Sequence, residues 1–146
     1  MSLRERVIFK SFQQDLSTAI TYENQMKYKV TGEKKWVVRK GMPWPIVCCE
    51  GTYPYIVMPD GEVRFPEKPW PISKMRHPEL CNGKEVIGAG IFEMRDKKIV
   101  SISNESGHYG PKSDSLYYVK LAFKYWSAPL AENLKSDGRW ELFGNR

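Results

Sequence analysis

The chain predicts an α+β domain: a mainly antiparallel sheet built of hairpins, with an N-terminal and a C-terminal amphipathic helix. Three observations carry that prediction. Apolar residues recur at helical spacing only towards the two ends. Between them lie short apolar runs bounded by Gly and Pro, which is how strands read. Turn-forming residues join those runs in pairs, as hairpins require.

The first element spans residues 4–20, where Ile8, Phe12, Leu16 and Ala19/Ile20 form an apolar stripe between Arg4, Glu5, Lys10, Gln13, Gln14 and Asp15. Strand-like runs follow at Trp36-Val37-Val38, Ile46-Val47-Cys48 and Tyr55-Ile56-Val57-Met58. Pro43, Pro45 and Pro54 confine them to strand ends or sheet edges, because proline donates no ladder hydrogen bond. Pro59-Asp60-Gly61 turns Tyr55–Met58 into Glu62–Phe65 as a hairpin. Residues 66–71 (Pro-Glu-Lys-Pro-Trp-Pro) exclude helix and central strand alike; they make a loop, ordered by the need to bury part of Trp70.

A second hairpin runs Val86–Met94, turns at Arg95-Asp96-Lys97, and returns over Lys98–Ser103, where Val100 and Ile102 alternate with Ser101 and Ser103. Ser113 or Asp114 then caps a helix with Leu116, Val119, Phe123 and Trp126 on one face, and Pro129 stops it. The tail from Gly138 to Arg146 packs or frays.

A length of 146 residues suits one domain, 1–146, able to bury a core without disulfide or metal staples. The apolar fraction of 41% and aromatic fraction of 13% exclude a disordered chain. No apolar stretch approaches the roughly 18 residues of a membrane span. Met1–Arg6 has basic residues but no apolar region of a signal peptide, so a cytosolic location, in its own or a target cell, is expected. The three cysteines are odd in number, and Cys48 and Cys49 are adjacent, which is poor geometry for a mutual bond. Buried reduced thiols are expected. A formal net charge of +6 favours an anionic macromolecule or a nucleotide as partner. The charges are spread rather than blocked, so most form a solvated face.

The histidines are His77, in Lys74-Met75-Arg76-His77-Pro78-Glu79-Leu80-Cys81-Asn82-Gly83-Lys84, and His108, in Ser106-Gly107-His108-Tyr109-Gly110-Pro111. They flank the second hairpin, whose strands would bring both to one sheet edge. Gly107 permits a backbone conformation closed to other residues, and Gly110-Pro111 sets the exit. His108 and Tyr109 would then stand at a strand end, where binding groups usually lie. The alternative is a turn in which Tyr109 fills the core and His108 caps a carbonyl. Two histidines without a spaced carboxylate cluster do not make a metal site.

The block from Lys84 to Gly90, followed by Lys98–Tyr109 and Pro111, resembles the C-terminal effector domains of bacterial polymorphic toxins of the Rhs and filamentous-haemagglutinin type. A similar block occurs in plant IQ-motif calmodulin-binding proteins. The likeness covers roughly residues 55–125. Its closing motif, Ser-Gly-His-Tyr-x-Pro, is intact over 106–111. Of the opening motif, Phe-x-His-Ser-Ser-Phe-Leu-Ala-Gly, His77 and Gly83 match, while Pro78 and Glu79 replace the serines. No IQ motif is present, so calmodulin binding does not carry over.

The resemblance implies an effector, with an immunity protein as a partner, and three functional readings follow. The first is ADP-ribosyl transfer from NAD. That chemistry wants an aromatic wall, a donor to a ribose and one carboxylate facing the oxocarbenium ion. His77, Glu93, His108 and Tyr109 are the catalytic candidates, and Tyr55, Ser106 and Gly107 the cofactor-binding ones; Glu93 is otherwise a solvent-facing strand residue. The second is a metal-independent ribonuclease with His77 and His108 as base and acid and Lys74 or Lys112 on the phosphate. The third is a non-catalytic binder on the toxin fold, motivated by Pro78 and Glu79.

Overall fold

The computed structural model describes residues 2–14, 33–42, 44–47, 49–106 and 115–137. Helix α1 (Leu3–Gln14) opens with a capping box. Ser2 Oγ accepts the Glu5 N–H at 3.1 Å, and Glu5 Oε1 accepts the Ser2 N–H at 3.2 Å. The expected continuation over 15–20 lies outside the described residues.

Six strands form one sheet in the order β1-β3-β2-β4-β5-β6. They are β1 (Lys35–Val38), β2 (Gly51–Val57), β3 (Val63–Pro66), β4 (Gly88–Arg95), β5 (Lys98–Ser103) and β6 (Leu130–Asp137). Every pairing is antiparallel except β5 with β6. The α+β class and both hairpins are therefore as expected. At the first, Gly61 takes φ of 90°. At the second, Asp96 and Lys97 both take positive φ, the twist that suits a two-residue hairpin loop.

Three local expectations differ. Residues 44–47 are irregular rather than a strand, and Cys48 lies outside the described residues. Proline removes backbone donors on either side of Trp44, and this segment contributes side chains instead. Trp44 stacks on Phe65 with ring centroids 5.3 Å apart, and Val47 is buried, while Ile46 faces solvent. On β5 a register shift against β4 buries Ile99 instead of Val100, because a bulge resets the inward–outward alternation. Past Pro129 the chain makes β6, unforeseen because Leu-Ala-Glu-Asn-Leu-Lys-Ser-Asp has neither strand periodicity nor β-branched residues.

Helix α2 (Ser115–Tyr125) lies on one sheet face. Leu116, Val119, Ala122 and Phe123 pack there against Tyr53, Tyr55 and Val57 of β2, Phe65 of β3, Phe92 and Met94 of β4 and Ile102 of β5. The rings interlock: Phe92 stacks on Tyr53 at 5.1 Å and meets Phe65 edge-on at 5.2 Å. By the two-residue period of a strand, Ile56 and Ala89 point to the other face. They join Met58, Met75, Leu80, Cys81 and Val86 in a second cluster. The connection from β3 to β4 supplies that cover, including the ordered loop around Trp70, whose indole N–H donates to the Met75 carbonyl at 2.9 Å. Of the thiols, Cys81 is buried as expected and Cys49 is exposed.

The end of α2 is a Schellman motif. Ala128 N–H donates to the Phe123 carbonyl at 2.9 Å and Ser127 N–H to the Lys124 carbonyl at 3.0 Å. Ser127 occupies the left-handed position with φ of 59°. Serine carries a Cβ that this conformation disfavours. Ser127→Gly is expected to raise unfolding free energy by about 1 kcal/mol, read by urea denaturation; a loss of stability would contradict the assignment.

Helix α1 is held to α2 by the Lys124 ammonium on Glu5 Oε2 at 2.8 Å. That bond, followed by the Ser2 N–H, holds the Glu5 carboxyl at about 2 against an ordinary 4.5. The group is depressed in the folded state, so its contribution is complete above the unfolded value and is lost as pH falls through the folded one. Thermal unfolding is expected to acquire an acid-sensitive component between pH 4.5 and about 2. This component shrinks in Lys124→Ala.

Candidate functional site

Strand parity fixes what the crossover face of the sheet presents. Thr52 of β2 and Ile91 and Glu93 of β4 share the parity of Ile56 and Ala89. Ser101 and Ser103 of β5 stand directly opposite Glu93 and Ile91 in the register. The connection between β3 and β4 covers the β2–β4 part of this face at Ile56 and Ala89. Towards β5 and β6 an open cleft of about 610 Å³ remains, lined by Thr52, Ile91, Glu93, Ser101, Ser103, Glu105, Lys135 and Ser136. Its volume falls within the range of small-ligand clefts. The lining is rich in hydroxyls, with two carboxylates and one ammonium.

Glu93 is the carboxylate on the central strand of this cleft. Its Oε1 accepts the Arg95 Nε–H at 2.7 Å, and the side chain stays 34% exposed. The contact is a single one, to one carboxylate oxygen, on the solvent side of the strand. Ser103 is held from both sides: its Oγ donates to the Ile91 carbonyl and accepts the Glu105 N–H, each at 3.4 Å. Its own carbonyl accepts the Tyr55 hydroxyl at 2.8 Å from the opposite face. The β5 wall is thus tied to the core before any ligand arrives.

The other sequence candidates fall elsewhere. Tyr55, expected as an aromatic wall, is fully buried on the α2 face, edge-on to Phe123 at 5.2 Å. Burial pushes its phenol well above the ordinary value, so it remains a donor. It braces β5 and presents no surface to a ligand.

His77 opens a 3-10 turn, His77–Leu80, in the β3–β4 connection. The residue is 4% exposed. Its Nε2 lies 2.7 Å from the Gly90 carbonyl oxygen, and its ring meets Trp70 edge-on at 6.1 Å. A carbonyl oxygen only accepts, so Nε2 carries the hydrogen. His77 fastens the connection to β4 and is not among the cleft-lining residues.

Of the pair that replaces the serines, Pro78 is buried inside that turn, and Glu79 receives the Arg76 Nε–H at 3.0 Å. Ser106 is buried beside Glu105. Gly107, His108, Tyr109 and Lys112 lie outside the described residues, so a shared pocket for His77 and His108 does too. Lys74 is exposed, with its backbone N–H towards the Glu33 carboxylate at 3.4 Å.

Ser101, Ser103 and Lys135 are cleft residues that the sequence reading did not single out. The serines had a signal, the polar half of the alternation along β5. Lys135 had none, because only the parallel pairing of β6 brings it here. Comparison with family models, with curated proteins and with solved structures finds no match for this chain.

Replacing His77 leaves the Gly90 carbonyl buried without this donor. His77→Ala is expected to cost about 1–3 kcal/mol of stability, and Glu93→Gln markedly less, since Glu93 is partly exposed. Equal losses in denaturant titrations would refute the structural role given to His77.

Proposed function

We propose that the chain is an effector-type ADP-ribosyltransferase that takes NAD into the cleft over β4, β5 and β6, with Glu93 as its catalytic carboxylate. The observation that carries this reading is Glu93 itself. It is a carboxylate on a central strand, paired with Arg95 through one oxygen and open to a hydroxyl-rich cleft of ligand size. The reaction asks for little more. The bond between ribose C1′ and the nicotinamide nitrogen breaks, and nicotinamide leaves with the bonding electrons. Positive charge then develops across C1′ and the ring oxygen, where a carboxylate stabilises it. An acceptor nucleophile on a macromolecule bonds to C1′ and releases its proton.

Ser101, directly across from Glu93, supplies the hydroxyl that Pro78 and Glu79 withdraw from the opening motif. Lys135 offers the diphosphate a cation from β6. The partners on this reading are NAD and an anionic macromolecule that accepts ADP-ribose. An immunity protein would act by closing the cleft.

The ribonuclease reading draws no support from His77, whose Nε2 hydrogen is engaged by a backbone carbonyl inside the fold. A non-catalytic binder would use the same cleft without turnover.

Incubation with NAD labelled in its adenylate portion and a cell lysate is expected to label protein or RNA. Glu93→Gln should reduce that labelling by about two orders of magnitude while circular dichroism stays unchanged. Undiminished labelling by the variant would remove Glu93 from catalysis. Absence of any labelling by the parent protein would reduce the cleft to a binding site.

A further inference from the structure

A second cleft lies at the opposite end of β2. Thr52, which lines the Glu93 cleft, is near the start of that strand, whereas Asp60 and Glu62 follow its end. The end of β1, the β2–β3 turn and the C-terminus of α2 enclose a space of about 470 Å³ there, lined by Arg39, Lys40, Asp60, Glu62, Tyr125 and Trp126. We infer that this cleft binds a nucleotide unit, with the base against Trp126 and Tyr125 and the phosphate on Arg39 and Lys40.

The aromatic side is rigid. Trp126 directly follows the last residue of α2, and its indole N–H donates to the Gly61 carbonyl in the β2–β3 turn at 2.8 Å. That bond joins helix end to hairpin turn and sets the plane of the indole. Tyr125 stands at 89° to it with centroids 4.8 Å apart, so the two rings make a corner and not a continuous stack. Both are only partly buried. A planar ligand can lie on one ring and be stopped by the other, and the ordering cost of those side chains has already been met by folding.

The charged side favours an anion. Glu62 is occupied by Arg64, whose Nε–H reaches its Oε1 at 2.7 Å, and the Glu62 backbone N–H donates to Asp60 Oδ1 at 2.9 Å. The lining carries two cations and two carboxylates, and with Glu62 paired to Arg64 outside it, Arg39 and Lys40 face Asp60 alone. Arg39 and Lys40 are both exposed, and beside them Gly41 turns the chain at φ of 85° with open space where a side chain would be.

The α2 C-terminus contributes partial negative charge, so the two side-chain cations must carry the phosphate. A stacking surface beside cations is the combination that recognises a base and its phosphate. The space fits one such unit. A free nucleotide and a nucleotide within a single strand share this chemistry.

The test uses the full chain, titrated by calorimetry with AMP, with GMP, with inorganic phosphate and with a single-stranded RNA of about eight nucleotides. Saturable binding of a mononucleotide would identify the free ligand. Saturation by the RNA alone would identify a unit within a strand. Arg39→Glu combined with Lys40→Glu, both at exposed positions, is expected to abolish binding with folding intact. Trp126→Ala is expected to weaken it about tenfold or more, and Trp126→Phe, which keeps a stacking face, to restore part of the loss.

Three results would overturn the assignment. One is the absence of saturation by any nucleotide up to about 1 mM. Another is phosphate binding as tightly as AMP. The last is binding that survives the charge reversals but disappears in Glu93→Gln, which would move the nucleotide to the other cleft. Failure of NAD labelling leaves this inference standing, because the two clefts share no lining residue.

Discussion

Close approach at two glycines of β4 is the constraint on which the rest of the structure depends. A Cβ at Gly90 would collide with the Ser103 carbonyl and crowd the Tyr55 hydroxyl, and a Cβ at Gly88 would collide with Val119 of α2. Gly88 therefore lets the helix seat directly on the strand. Gly90 lets the hydroxyl of Tyr55 and the backbone of β5 meet on the α2 side, while its carbonyl accepts the His77 Nε2–H. Backbone can be crowded in this way only where no side chain intervenes. The sheet is consequently packed on both faces at β2 and β4.

That arrangement determines where chemistry can occur. The connection between β3 and β4 caps the middle of one face, and α2 covers the other. Among the described residues, two clefts stay open: the β4–β6 part of the crossover face, with Glu93, and the opposite end of β2, with Trp126 and the two basic residues after β1. Each cleft has one lining residue held in place by hydrogen bonds. Ser103 is fixed through Tyr55 and Ile91, and Trp126 through Gly61. Such pre-positioned groups spend little entropy on binding.

Legibility in the sequence followed the reach of each interaction. The hairpins at 55–65 and 86–103 were readable because turn residues and strand runs are contiguous. Helix α2 was readable because Leu116, Val119 and Phe123 recur on one face; it closes at Tyr125 through the Ser127 turn, ahead of Pro129. The run at 46–47 misled, since apolar composition reports burial without saying whether the backbone finds a ladder partner. Val100 misled because a bulge against β4 is a property of the pair and not of one strand. Among site residues, Glu93 could be nominated from its place in a strand flanked by apolar neighbours. His77 and Tyr55 were nominated for their chemistry, but burial gives them structural work: one is a donor to Gly90, the other a brace for Ser103.

Local order was thus settled by the sequence alone: the class of fold, the two hairpins, the helix before Pro129 and the polar stripe of β5 are all written in residue patterns a few positions long. Non-local pairing belongs to the tertiary structure. Only folding sets β6 parallel to β5 and brings Lys135 opposite Ser101, 34 residues away in the chain. Only folding places Trp126 against the Gly61 carbonyl, or turns a histidine into a buried fastener. The reason is physical. Turn and helix preferences are short-range backbone terms carried by each residue, whereas burial and cross-strand register depend on which distant surface arrives to exclude the water.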